Sequence, residues 1–264
     1  MPLHTPIAGK TPSKLLQELS EIALAAGQAI LAIYSGDFAV RKKSDESPVT
    51  EADEAAERLI LERIKEIDPK ALIVSEEAAE AGYMPDRQGQ RFWLVDPLDG
   101  TKEFVKRTGE FTVNIGLIEN GNPVLGVVFV PVLDLLFAGG IEGAWKKEGS
   151  GPWQSIACRK PPAEGLSVVA SRSHGDPEKI QAYLAGRKIA GLVKAGSSLK
   201  ICRVAEGTAD VYPRFGPTSE WDTAAGHAVL LGAGGCLETL DGQPLRYGKS
   251  SILNPDFVAW GLRD

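Results

Sequence analysis

The chain has 264 residues, of which 43% are hydrophobic and 24% charged, with a formal net charge of −6. That length suits one large core or two packed subdomains, and the composition is that of an ordinary globular enzyme. The negative balance argues against a binder that grips a nucleic-acid backbone through a basic face. Three dispersed cysteines (Cys158, Cys202 and Cys236) with no CxxC spacing argue against a disulfide framework or a zinc site.

In chain order, residues 1–11 are rich in Pro and Thr. Leu15, Leu16, Leu19, Ile22, Ala23, Ala26, Ile30 and Ile33 then recur at helical spacing, which predicts an amphipathic helix ending near Ser35-Gly36. Residues 40–47 read as a polar loop. Thr50, followed three residues later by Asp53, resembles a capping box for a helix over 51–67. An apolar run at 71–74 ends in Ser75-Glu76-Glu77. A second run at 92–95 reads as a buried strand stopping at Asp96. Strands follow at 111–118 and 124–130 around a turn at 119–123, then at 133–138 and 144–145. The Gly/Pro-rich stretch 149–162 is the expected boundary between an α+β subdomain, 1–155, and an α/β subdomain, 156–264. In the second, strands are expected at 166–170, 189–194, 235–239 and 257–261, with another starting at 211–212. Helices are expected at 177–184, 197–206 and 223–231. Gly248-Lys249-Ser250 misses Walker A spacing, because Gly242 lies one residue too far away, and reads as loop. No segment reads as a membrane span or a leader. The expected location is cytoplasmic, with peripheral association with the inner membrane left open.

The chemistry concentrates at Asp96-Pro97-Leu98-Asp99-Gly100-Thr101. Pro97 stiffens the turn, and two carboxylates there suit a hard cation that takes oxygen ligands. Gly100, Thr101 and Lys102 are expected to leave backbone N–H groups at a helix start, an anion site. Glu76-Glu77 at another strand end and Trp221-Asp222 at a helix start bring the carboxylates to five. Each has an ordinary explanation alone: a plain turn, a solvated acidic loop, a helix N-terminal acid. Together they point to a metal and a phosphate.

Asp53, then Glu76-Glu77, then Asp-Pro-Leu-Asp-Gly-Thr, then Trp221-Asp222 resembles the pattern of a known family. It is the lithium-sensitive, Mg²⁺-dependent phosphatase family of inositol monophosphatases and bisphosphate nucleotidases. The resemblance runs from residue 15 to residue 260. It implies an α/β chain with an α+β first half, folded as a layered αβαβα sandwich of the inositol-monophosphatase-like sugar phosphatase type. It also implies two Mg²⁺ ions, or three, held by Glu76, Glu77, Asp96, the Leu98 carbonyl, Asp99 and Asp222. Asp53, Glu76 and Thr101 would be catalytic, the Asp53–Thr101 pair orienting and deprotonating a water. Loop 40–47 would close over the site.

Within the family, four details resemble the bacterial 3′(2′),5′-bisphosphate nucleotidase branch. Thr101-Lys102-Glu103-Phe104 stands where inositol monophosphatases more often carry Thr-x-Asn-Phe. Ser171-Arg172-Ser173-His174 resembles a stretch whose His stacks on adenine. Gly196-Ser197-Ser198-Leu199-Lys200 and Tyr212-Pro213-Arg214 resemble segments that hold a second phosphate, and residues 220–226 fit the same branch. The implied substrate contacts are Glu76, Leu98, Asp99, Gly100, Thr101, His174, Ser197, Lys200, Arg214 and Asp222. The implied reaction removes the 3′-phosphate of adenosine 3′,5′-bisphosphate (PAP), and that of its sulfated analogue (PAPS), in sulfur assimilation. The partner is then a small nucleotide bisphosphate and not nucleic acid; a homodimer is left open. Alternatives are an inositol monophosphatase or broad sugar-phosphate phosphatase and, from another class, a non-catalytic Mg²⁺- or nucleotide-binding regulator.

Overall fold

The computed structural model describes residues 11–36, 40–42, 48–171 and 176–263. The elements in order are α1 (Lys14–Tyr34), β1 (Val40–Lys42), β2 (Pro48–Thr50), α2 (Glu51–Ile67), β3 (Ile73–Ser75), α3 (Glu76–Glu80), β4 (Arg91–Asp99) and α4 (Thr101–Val105). Then come β5 (Thr112–Glu119), β6 (Asn122–Val130), β7 (Leu135–Gly140), β8 (Gly143–Glu148) and β9 (Gln154–Ser155). The chain continues through β10 (Leu166–Ser171), α5 (Pro177–Tyr183), β11 (Ile189–Ala195), α6 (Leu199–Ala205), β12 (Val211–Arg214), α7 (Glu220–Gly232), β13 (Cys236–Thr239) and β14 (Phe257–Trp260).

Strands β3 to β9 form one sheet in sequence order, parallel only between β3 and β4. A second sheet has the order β11-β10-β12-β14-β13, parallel on its β11 side and antiparallel on its β13 side. Side chains alternate across a strand, and here both faces of the central strands of each sheet are buried. Trp93 and Val95 join α1 and α2 in one apolar cluster, whereas Phe92 and Leu94 join α6 and α7 in another. Tyr212, Phe257 and Ala259 meet that same second cluster from the other sheet. Val211, Val258 and Trp260 point away, towards Leu184 and Ile180 around α5. The layers are therefore helix, sheet, helix, sheet, helix, the αβαβα sandwich expected from the sequence.

The middle layer is unusually tight. Gly116, Gly126 and Gly139 are register partners across β5, β6 and β7, and α7 lies over them. A Cβ at Gly126 would fall 2.8 Å from Ala225 Cα, and one at Gly139 would fall 2.7 Å from Val229 Cα. Only glycine lets helix backbone sit so close to sheet backbone. Helix α7 is apolar almost all round, as a helix enclosed on all sides must be, and its first turn is thereby fixed relative to β4.

Three expectations need correction. Residues 40–47 are not simply a loop, because Val40–Lys42 and Pro48–Thr50 pair as an antiparallel hairpin; residues 43–47 lie outside the described part. Strand β4 does not stop at Asp96 but runs on to Asp99, since β5 supplies a partner there. Helix α1 is long and apolar enough to cross a membrane by length and composition, contrary to the sequence reading. Its stripe of Leu16, Leu19, Ile22, Ala23, Ala26 and Ile30 is instead buried with α2 and the larger sheet, as a core helix.

Candidate active site

The site grows from a bulge. Asp96 pairs with Asn114 and Asp99 with Thr112, so three steps on β4 oppose two on β5. Pro97 falls inside this irregularity, where the ladder needs no donor from it. Asp96 is 1% exposed and accepts the Leu98 N–H at 3.0 Å. Gly100 follows at φ +92° and starts α4. A Cβ there would run into the Ser197 hydroxyl, so both backbone conformation and space require glycine.

Two helix starts deliver acids to this turn. The Thr50 N–H and hydroxyl both donate to Asp53 Oδ2, at 2.8 and 2.7 Å, and the Ala52 N–H donates to Thr50 Oγ1 at 3.2 Å. Asp53 Oδ1 lies 3.3 Å from the Thr101 hydroxyl, which is also 3.3 Å from the Leu98 carbonyl. At α7 the Ser219 N–H donates to Asp222 Oδ2 at 2.8 Å. Burial pushes the Asp222 carboxyl up to about 8, and the charges of Asp99 and Glu76 add to the push.

Ser198 joins the halves. Its N–H donates to Asp99 Oδ2 at 2.6 Å, and its hydroxyl lies 2.8 Å from that oxygen and 2.7 Å from the Asp222 carbonyl. Asn114 donates to Ser198 Oγ at 3.0 Å. Sequence reasoning missed Ser198 as an actor of its own; its only signal was a second hydroxyl after Gly196. The expected helix start at Ser197 also moves. Ser197 is left-handed, with φ +47°, and its hydroxyl meets the Asp99 and Glu110 carbonyls at 2.9 Å each. Helix α6 opens at Leu199, and the Ser198 N–H already serves Asp99 rather than a ligand.

A cleft of about 800 Å³ opens over this cluster. Its lining combines Glu76, Asp99, Glu103, Asp176 and Asp222 with Lys102, Lys179, Lys200 and Arg214. Lys200 is 8% exposed, its Nζ 5.8 Å from the Tyr212 ring centre. Burial lowers its pKa to about 8; Asp99 opposes this shift and Arg214 reinforces it. Arg214 Nη2 donates to the Pro217 carbonyl at 3.0 Å, while its Nε is buried without a partner.

The donor set fits a hard cation: oxygen ligands, and buried or half-buried acids whose mutual repulsion a divalent ion relieves. Among the described residues no three acid, His or Cys side chains form a ready-made cage. The caps and Ser198 hold the acids individually.

A model of the inositol monophosphatase family matches residues 11–262. The chain belongs to that family. It is 48% identical over 248 residues to the 3′(2′),5′-bisphosphate nucleotidase CysQ of Salmonella typhimurium (strain LT2), covering 92% of this chain and 98% of that one. The crystal structure of CysQ from Bacteroides thetaiotaomicron matches with a TM-score of 0.78 at 38% identity, covering 95% of this chain and 98% of that one. An inositol monophosphatase from Anabaena matches at 0.72 and 28%, covering 93% and 90%.

Of the residues expected to act in an inositol monophosphatase family site, the cleft brings together Glu76, Asp99, Gly100, Thr101, Ser197, Lys200, Arg214 and Asp222. Asp53, Asp96 and Leu98 are buried and do not line it; Glu77, half-buried at the start of α3, does not line it either. His174 lies outside the described residues. His227 is buried in α7 with Nδ1 3.0 Å from the Tyr247 hydroxyl.

Proposed function

We propose that this protein is a Mg²⁺-dependent 3′(2′),5′-bisphosphate nucleotidase that hydrolyses the 3′-phosphate of adenosine 3′,5′-bisphosphate to AMP, and acts on PAPS as well. One observation carries the reading. The cleft that holds Glu76, Asp99 and Asp222 also holds buried Lys200 and an Arg214 whose Nε lacks an acceptor. A substrate with a single phosphate gives that second set of cations nothing to hold, whereas a bisphosphate supplies an anion for each. The relative from Salmonella typhimurium, a 3′(2′),5′-bisphosphate nucleotidase, supports the same substrate class.

Glu76, Glu77, Asp96, Asp99, Asp222 and the Leu98 carbonyl would hold Mg²⁺, two ions or three. When bound, Mg²⁺ neutralises the phosphomonoester dianion and lowers the pKa of bound water. The chain's own part is positional. Asp53 Oδ1 accepts the Thr101 proton, which turns a Thr101 lone pair to a water and lets the pair take up its proton. Glu76 would help to orient that water, and the Gly100 and Thr101 N–H groups would hold phosphate oxygens.

The test is phosphate release from PAP, PAPS, inositol 1-phosphate and fructose 1,6-bisphosphate, with Mg²⁺ and after chelation. PAP should be preferred and chelation should stop turnover; preference for inositol 1-phosphate overturns the assignment. Arg214→Ala should lower kcat/KM for PAP by about ten- to a hundredfold and barely change adenosine 3′-monophosphate. Lys200 is charged below about pH 8, so KM for PAP should rise as pH passes 8, a rise absent in Lys200→Met.

A further inference from the structure

Residues 246–254, with Gly248-Lys249-Ser250 among them, have no part in the reading above, yet they grip the first turn of α7. The Glu220 carboxylate is fully buried. It accepts the Gly248 N–H at 3.0 Å on one oxygen, and the Lys249 N–H at 3.1 Å and Nζ at 2.6 Å on the other. Lys249 Nζ also donates to Asn254 Oδ1 at 3.2 Å. Asn254 Nδ2 then donates to the Ser219 carbonyl at 2.7 Å, and its N–H to the Thr218 carbonyl at 2.8 Å. The Glu220 N–H donates back to the Ile252 carbonyl at 2.9 Å.

These contacts fix two neighbours at once. Ser219, held by its carbonyl, aims its N–H at Asp222 Oδ2. Thr218, held the same way, follows the Pro217 carbonyl that orients Arg214. Stability alone does not call for this arrangement, because apolar packing of similar volume is often as stable as a buried ion pair. The Gly248 and Lys249 N–H groups form an anion cradle whose anion is the protein's own carboxylate.

We infer that Glu220, Lys249 and Asn254 are positioning residues, a strap that sets Asp222 and Arg214 in register so that both phosphates of one substrate are met together. The inference rests on the nucleotidase reading and deepens it. Lys249→Met alone strands a buried charge and risks misfolding, so Glu220→Gln/Lys249→Met and, separately, Asn254→Ala are the variants to use.

The measurements are thermal melting, Mn²⁺ binding followed by the electron paramagnetic resonance of the free ion, and kcat and KM on PAP and adenosine 3′-monophosphate. Both variants should melt cooperatively and bind Mn²⁺ about 10–100-fold more weakly, the scale for groups that orient metal ligands. KM should rise more for PAP than for the monophosphate, and Lys249→Arg should recover much of the loss. Folded variants whose Mn²⁺ affinity and KM ratio stay within about twofold of wild type overturn the strap, even if melting falls. A wild type that binds no Mn²⁺ and spares PAP overturns the nucleotidase reading itself, and the strap with it.

Discussion

The first turns of α2 and α7 use the same local device to different ends. Each begins with a hydroxyl residue followed three positions later by aspartate, and in each the aspartate accepts the cap residue's N–H at 2.8 Å. The neighbours differ. Asp53 meets the hydroxyls of Thr50 and Thr101, which offer protons. Asp222 is half-buried on the cleft wall near Asp99 and Glu76, which offer only like charge, and it rises to about 8. A cap sets where a carboxylate stands; what stands opposite it decides whether it meets proton donors or only like charge.

Exchanging each acid for its amide should separate the two. Asparagine still accepts the cap N–H, so Asp53→Asn and Asp222→Asn should both fold. Both should lose turnover, Asp53→Asn by about 10²–10⁴, the usual worth of a positioned base. Only Asp222→Asn should also weaken Mn²⁺ binding; equal weakening in both would erase the distinction. A smaller effect is expected from the partners. Thr101→Val should cost about a hundredfold in kcat at unchanged Mn²⁺ affinity. Ser198→Ala, which unties Asp99 from the Asp222 carbonyl, should cost about three- to tenfold, with a matching loss of Mn²⁺ affinity. Steady-state kinetics beside Mn²⁺ titration reads both.

The smallest effect is on stability. With its pKa raised from 3.8, Asp222 keeps a proton in the folded chain that the unfolded chain has already released. Metal-free stability should therefore fall as pH rises from about 4 to about 8, and Asp222→Asn should flatten that slope. Thermal melts in chelator across this range check the sign. A stability that climbs towards pH 8 would place Asp222 among satisfied acids and dissolve the contrast with Asp53.

Much of this was legible beforehand. The helical stripe of α1, the capping box of α2 and the turn at residues 119–123 rest on contacts within a few residues, and periodicity or cap chemistry reveals such contacts. The bulge in β4 was not legible, because a strand end depends on whether a partner continues, and Thr112 across the ladder continues it. The start of α6 was misplaced because Asp99, 99 positions away, claims the Ser198 N–H. The pairing of Glu220 with Lys249 passed unnoticed for the same reason, since it closes only when residues 246–254 fold back on α7.

By itself, then, the sequence determined the caps, the buried stripes and the set of carboxylates, all properties carried by neighbouring residues. The tertiary structure alone decided which acid faces a hydroxyl and which faces another acid, and which backbone N–H groups already have an internal acceptor. It also decided that a loop resembling a phosphate cradle holds Glu220 instead. Charge–charge and hydrogen-bond energies depend on distance and burial, and these are fixed only when segments remote in sequence are brought within a few ångströms.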